Sequence, residues 1–202
     1  ESLFSDKFET GVKENKSQWY ATAFLQDDWS INKQFSVIAG LRCDYHEKYG
    51  TNLTPKASVM YKIFPFTVRF NYARGYRSPS IKELYMNWDH LGMFWIYGNS
   101  KLKPETNNYI SLSGEYVNSW ININANVYSN WFRNKIEGMW SNDQTELHYI
   151  NIGKSRLAGV ETMCKIQINR HINVHGAYNY LYTSKDADGV RLSSSSPHSG
   201  NI

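Results

Sequence analysis

The 202-residue chain reads as an all-β protein, an antiparallel up-and-down meander of the membrane-barrel kind, on three observations. Apolar and polar residues alternate with period two almost throughout, and a helical period is nearly missing. Short turns alternate with longer polar loops, which places tight turns at one end of an up-and-down sheet and long loops at the other. Several candidate strands also exceed the five or six residues usual in soluble sheets, and crossing a bilayer at a tilt takes roughly 9 to 11.

Taken in order, about nine strands are expected, near 19–31, 35–49, 55–64, 67–77, 107–117, 120–140, 147–169, 172–184 and one from 190. In the second, Phe35, Val37, Ala39, Leu41, Cys43 and Tyr45 oppose Ser36, Gly40, Arg42, Asp44 and His46. In the fourth, Val68, Phe70 and Tyr72 oppose Arg69 and Asn71. The sixth is the clearest: Ile121, Ile123, Ala125 and Val127 point one way, and Asn122, Asn124 and Asn126 the other. Val160, Thr162, Cys164, Ile166 and Ile168 oppose Glu161, Met163, Lys165, Gln167 and Asn169 in the seventh. Short turns are expected at 32–34, 63–66, 118–119 and 169–171, and polar loops at 50–54, 78–106, 141–146 and 185–189. The last loop holds Asp186-Ala-Asp-Gly189, read as a hairpin turn rather than a calcium loop.

A soluble β-sandwich would alternate in the same way. Aromatic residues at strand ends (Trp19, Tyr20, Trp29, Trp120, Trp131, Phe132, Trp140) favour the two interfacial girdles of a barrel instead. With 20% charged and 15% aromatic residues the chain is neither disordered nor a coiled coil. The net charge of +4 is scattered with no basic run, which argues against nucleic acid as a partner. Cys43 and Cys164 make no framework and no CxxC. No GxSxG, P-loop or dinucleotide fingerprint is present, so no enzyme is expected, and no HxH or HExxH spacing suggests a metal site.

From Arg69 to Tyr85 the chain runs Arg-Phe-Asn-Tyr-Ala-Arg-Gly-Tyr-Arg-Ser-Pro-Ser-Ile-Lys-Glu-Leu-Tyr, and from Tyr97 to Thr106 it runs Tyr-Gly-Asn-Ser-Lys-Leu-Lys-Pro-Glu-Thr. These stretches resemble the two boxes of TonB-dependent outer-membrane receptors, Gly-aromatic-Arg-Ala-Pro-Ser and Gly-Asn-Pro-Asn-Leu-Lys-Pro-Glu. Ser78 stands where Ala is usual, and Ser100 with Lys101 replaces Pro and Asn. The motif residues are Arg77, Pro79, Glu83, Asn99, Leu102, Pro104 and Glu105, and further similar stretches lie at 24–29, 39–45, 54–56 and 156–161. The resemblance implies part of a 22-stranded transmembrane β-barrel in the bacterial outer membrane, with short periplasmic turns and long extracellular loops. On that reading residues 1–202 are a partial barrel domain, with the plug domain and the remaining strands elsewhere. The implied partners are outer-membrane lipid, the TonB complex acting through the plug, and a small-molecule or haem ligand.

The loop 78–106 is the candidate site, because long loops on a rigid scaffold are where binding residues concentrate. Ser80-Ile-Lys-Glu83 has capping-box form and predicts a short helix after Pro79. Arg77 and Glu83 are expected to pair in a structural role. In haem receptors of the family a histidine between the two boxes is an axial ligand, and His90 occupies that interval here. The plain alternative is that His90 packs within the loop. Tyr85, Met86, Met93 and Tyr97 either cover a flat ligand or fill the loop's own core. The expected function is TonB-dependent uptake of a scarce nutrient, haem or another iron complex first, with cobalamin, a passive porin and a soluble sandwich as the alternatives. No cofactor is expected beyond haem as transported ligand.

Overall fold

The computed structural model describes residues 2–6, 14–184 and 196–201. Two strands, β1 (Ser2–Asp6) and β2 (Glu14–Gln18), pair antiparallel as a separate ribbon. Then follow β3 (Tyr20–Ser30), β4 (Phe35–His46), β5 (Gly50–Ile63) and β6 (Phe66–Arg77). The helix α1 (Ile81–Tyr85) and the short strands β7 (Asn87–Asp89) and β8 (Trp95–Tyr97) precede β9 (Glu105–Val117). Next come β10 (Ile121–Trp140), β11 (Glu146–Gln167), β12 (Asn173–Thr183) and β13 (His198–Asn201). The main sheet runs β13-β12-β11-β10-β9-β6-β5-β4-β3, every neighbour antiparallel, so the expected meander is present.

Directly paired residues share a face, and following the pairs across the sheet shows what each face is for. One row runs Trp29, Val37, Val59, Phe70, Leu112, Val127, Val160, Tyr180, an unbroken apolar line over eight strands. No second layer of described residues covers it. Phe70, Leu112 and Val127 remain 45%, 54% and 55% exposed, whereas a sandwich would bury such a row against its other sheet. The opposite face is a hydrogen-bonded polar lattice. Ser58 Oγ donates to Asn71 Oδ1 at 2.7 Å, Asn71 Nδ2 to Ser111 Oγ at 3.0 Å, and Asn122 Nδ2 to Glu115 Oε1 at 3.2 Å. Asn122, Asn124 and Asn126 pair with Lys165, Met163 and Glu161 on this polar side.

Two expectations need correction. The loop expected at 50–54 is strand: β5 pairs with β4 from Gly50 opposite His46, and a three-residue turn, 47–49, connects them. Gly50, at φ +70°, supplies the left-handed backbone such a tight return requires. The segment 78–106 is more than a loop with a helix, since β7 and β8 form a small antiparallel pair and β8 adds parallel to β11 at residues 146–148. The last expected strand begins at His198, and the 186–189 turn lies outside the described residues.

A single-layer sheet has little interior, and the apolar core sits where a loop folds back on it. Leu84, Leu102 and Ile136 cluster there, each no more than 6% exposed, with Tyr149 packed beside them.

Candidate functional site

The loop between β6 and β9 is fixed by short-range sequence chemistry. Pro79 is fully buried and Ser80 caps α1, its hydroxyl accepting from Glu83 N at 3.3 Å while the Ser80 amide donates to Glu83 Oε2 at 2.7 Å. That is the expected capping box, and it directs Ile81 and Leu84 inward. Arg77 Nη1 donates to both Glu83 oxygens at 2.9 and 3.0 Å, and its Nη2 to Glu105 Oε2 at 3.2 Å. Glu105 Oε2 also accepts from Ile136 N at 3.0 Å. One guanidinium therefore ties the end of β6 to α1, to the start of β9 and, through Glu105, to β10. Its paired carboxylates raise the Arg77 pKa against the opposing, and individually largest, effect of burial.

The second box closes the other end of the loop. Gly98 N donates to Met86 O, and a Cβ on Gly98 would lie 2.6 Å from Met86 N and 2.7 Å from Tyr85 N, so only glycine permits this approach of backbone to backbone. Asn99 N donates to Glu83 O at 2.8 Å, and Asn99 Nδ2 to Tyr149 O at 3.0 Å. Leu102 enters the core. Lys103 is pinned on both sides by Asn151, whose Oδ1 accepts from Lys103 N at 2.8 Å and whose Nδ2 donates to Lys103 O at 2.9 Å. Pro104, half-buried and with no amide hydrogen to satisfy, leads into β9. Thus Arg77, Pro79, Glu83, Asn99, Leu102, Pro104 and Glu105 act together as a lock on the loop. Asn151, Tyr149 and Ile136 complete that lock from strands distant in sequence, and nothing local in the sequence marks them.

The candidate ligand residues separate. His90 lies in a run of rings, 4.7 Å from Trp88 and 4.8 Å from Phe94, which in turn meets Trp140 at 5.2 Å. Its Nδ1 is buried and has no hydrogen-bond partner among the described residues. Tyr97 belongs to a different stack, 5.9 Å from Trp95 and 5.0 Å from His148, whose Nε2 bonds Glu146 at 2.7 Å. Met86 caps α1, its amide donating to Lys82 O. Tyr85, 41% exposed at the helix end, carries Lys16 Nζ 5.3 Å from its ring centre.

A second group meets the loop from the β4–β5 turn. Tyr49 hydroxyl donates to Leu102 O at 3.1 Å, and Lys48 Nζ donates to Ser100 O at 3.0 Å and sits 5.5 Å from the Tyr49 ring. Burial, reinforced by the Tyr85 and Tyr76 phenols, pushes the Tyr49 pKa up to about 12. Tyr49 and Tyr85 with Lys16 and Lys48 thus form an aromatic and cationic group at the long-loop end, where the ammonium groups attract anions and the rings offer flat stacking surface. Sequence reasoning missed it because 47–49 read as the end of a strand.

Comparison with known proteins agrees with this architecture. The family model for the TonB dependent receptor-like β-barrel matches residues 5–202. The iron-regulated outer membrane virulence protein of Vibrio cholerae serotype O1 is 25% identical over 201 residues, covering 92% of this chain and 30% of its own length. The vitamin B12 transporter of the same species is 29% identical over 149 residues, 73% of this chain and 22% of its own. Among solved structures, a variant of the ferric enterobactin receptor of Pseudomonas aeruginosa superposes with a TM-score of 0.78 at 20% identity, covering 94% of this chain and 30% of that one. The chain therefore spans less than a third of the length of the relatives it matches.

Proposed function

Because the chain belongs to the TonB-dependent receptor β-barrel family, we propose that it forms part of the wall and the ligand-binding mouth of an outer-membrane receptor that imports an iron chelate. Transport, not catalysis, is its task. Energy would come from the TonB complex acting through a plug domain, as the family resemblance implies. The observation that carries the reading is the locked loop: Arg77, Glu83 and Glu105 hold α1 against the sheet, and with it Tyr85, which meets Lys16 and lies near Tyr49 and Lys48. A rigid aromatic and cationic mouth suits an anionic chelate with aromatic iron ligands. The names of the relatives, iron-regulated and ferric enterobactin among them, point the same way.

Haem with His90 as axial ligand is the narrower reading, supported by the unpaired Nδ1 of that ring. Trp88 and Phe94 crowd the imidazole, so ligation requires the ring run to open first. Cobalamin remains the other alternative, supported by the vitamin B12 transporter among the relatives. Equilibrium binding to the full-length receptor separates the three. Ferric catecholate is expected to bind tightest, and Tyr85→Ala combined with Lys48→Ala to weaken it about tenfold, or about 1.4 kcal/mol. Tighter binding of haem with a Soret band lost in His90→Ala, or of cyanocobalamin, would replace the proposal.

A further inference from the structure

The turn that carries Lys48 and Tyr49 to the loop depends on one histidine. His46, the last residue of β4, is 2% exposed, and its Nδ1 accepts from Lys48 N at 3.1 Å. An imidazole nitrogen that accepts carries no proton, so the proton of the neutral ring sits on Nε2. That N–H is buried and finds no acceptor among the described residues. The His46 ring also packs on Tyr49, with ring centres 4.9 Å apart. From there the turn reaches the second box: the Tyr49 hydroxyl donates to Leu102 O at 3.1 Å, and Lys48 Nζ to Ser100 O at 3.0 Å.

A second proton on this ring has no good place. It must go to Nδ1, where it meets the Lys48 amide hydrogen, and both ring nitrogens then become buried donors facing no acceptor. The surroundings do little to offset this. Opposite His46 stand Tyr20 on β3 and Gly50 on β5, neither of them a charge. Asp44, two residues back on the same face, is already held by Thr22 and Arg42 at 2.7 Å each. On the loop side are the phenols of Tyr49 and, beside it, Tyr76, both neutral near pH 7. Glu47 favours a charged ring, but its carboxylate is turned to Trp19 N at 3.2 Å. Lys48 opposes it, and the charge that β2 brings, Lys16 over Tyr85, has the same sign as Lys48. Burial therefore holds the His46 pKa below its ordinary 6.5, against Glu47 and with Lys48.

We propose that His46 is a positioning residue of the ligand mouth and makes that mouth acid-labile. Neutral, it holds the 47–49 turn against residues 98–103; protonated, it gives up the Lys48 amide, and the turn carries Lys48 and Tyr49 away from Ser100 and Leu102. The inference rests on the reading above of Lys48 and Tyr49 as part of the mouth. The closed turn favours the neutral ring, so its stability is full above the ordinary value of 6.5 and is lost as pH falls below it toward the lower value of the closed turn. An anionic ligand loses a cation and a phenol over the same range.

The test follows amide hydrogen exchange at residues 46–50 and 98–103 in the full-length receptor without ligand, at about pH 7.5 and about pH 5.5, corrected for the intrinsic rate. Acid should speed exchange in the wild-type protein about fivefold, the usual worth of one hydrogen bond. His46→Asn, whose Oδ1 accepts in place of Nδ1 and does not titrate, should stay slow at both pH values. His46→Leu, with no acceptor, should be fast at both. A wild-type rate that ignores pH in these segments overturns the proposal, and that comparison needs no variant to fold. So does an equal acid response in His46→Asn, which would place the titrating group elsewhere. Binding of a ferric tris-catecholate chelate is measured in parallel, with His46→Asn reporting the chelate's own pH dependence. A wild-type affinity that falls about fivefold further than the variant's supports the role of His46 in the mouth, and equal weakening of the two overturns it. Exchange that responds as expected in a receptor that does not bind the chelate even at about pH 7.5 upholds the His46 hinge and overturns the iron-chelate reading instead.

Discussion

Val127 and Asn126 are neighbours in β10 with opposite surroundings. Val127 is 55% exposed in the apolar row, whereas Asn126 Nδ2 donates to Glu161 Oε2 at 3.3 Å on the polar face. Arginine at Val127 should therefore destabilise the bilayer-embedded receptor by about 2–4 kcal/mol, and arginine at Asn126 by much less, since a charge on the lipid face costs most near mid-membrane. Equal costs in bilayer refolding would contradict the assignment of faces. Gly98 leaves no room for a side chain, with Met86 and Tyr85 main chain against it. Gly98→Ala should cost about 1–3 kcal/mol, the usual range for overpacking, because the new Cβ meets main chain that cannot swing aside. Thermal unfolding of the receptor checks it. In the turn between β10 and β11, the Ser141 hydroxyl and then Thr145 hydrogen-bond to the Asp143 carboxylate and hold its pKa at about 2, below the usual 3.8. A depressed carboxylate pKa stabilises the turn above the unfolded value and loses that contribution as pH falls from about 3.8 toward 2. Side-chain carboxyl NMR should show Asp143 still ionised at pH 3, and a midpoint near 4 would show that the hydrogen bonds are not maintained.

At the scale of elements, the loop lock is built from parts worth modest amounts separately. Removing the Ser80 cap should cost about 1 kcal/mol, while Arg77→Ala leaves Glu83 and Glu105 without their shared cation. Hydrogen exchange in α1 and residues 98–103 should accelerate more in Arg77→Ala than in Ser80→Ala, because Arg77 connects three elements and Ser80 caps one. The strands were legible from their alternation, down to the faces of Asn122, Asn124 and Asn126, because a one-residue slip would invert every side chain. Serine 80 and Glu83 announced the helix, for capping is local chemistry. The β4–β5 turn is not legible in the sequence, because Gly50 and the polar residues after it look like loop. Only pairing with β4 shows that Thr51 and Leu53 continue the apolar side. β7 and β8 leave no sequence signal, since three-residue strands carry too few alternations. The separation of His90 from Tyr97 into two stacks was equally invisible, being decided by where β8 meets β11.

For the whole molecule, one sheet with a bare apolar face and a hydrogen-bonded polar face makes sense only if two different solvents meet the two sides. In water the apolar row would be a contiguous hydrophobic surface, and such surfaces associate. The 202-residue chain alone should therefore not persist as a monodisperse monomer in detergent-free buffer, a point light scattering can decide. The central claim is that the row from Trp29 to Tyr180 faces lipid and the lattice from Ser58 to Ser111 faces the lumen. Its most direct test places an environment-sensitive fluorophore on single cysteines at Phe70, Leu112 and Val127, and at Asn71, Ser111 and Asn126, in a Cys43→Ser/Cys164→Ser receptor reconstituted with brominated lipids. The first three labels should be quenched by the bromines and shielded from aqueous iodide, and the second three should show the reverse. Quenching that fails to alternate along β6, β9 and β10 would contradict the account.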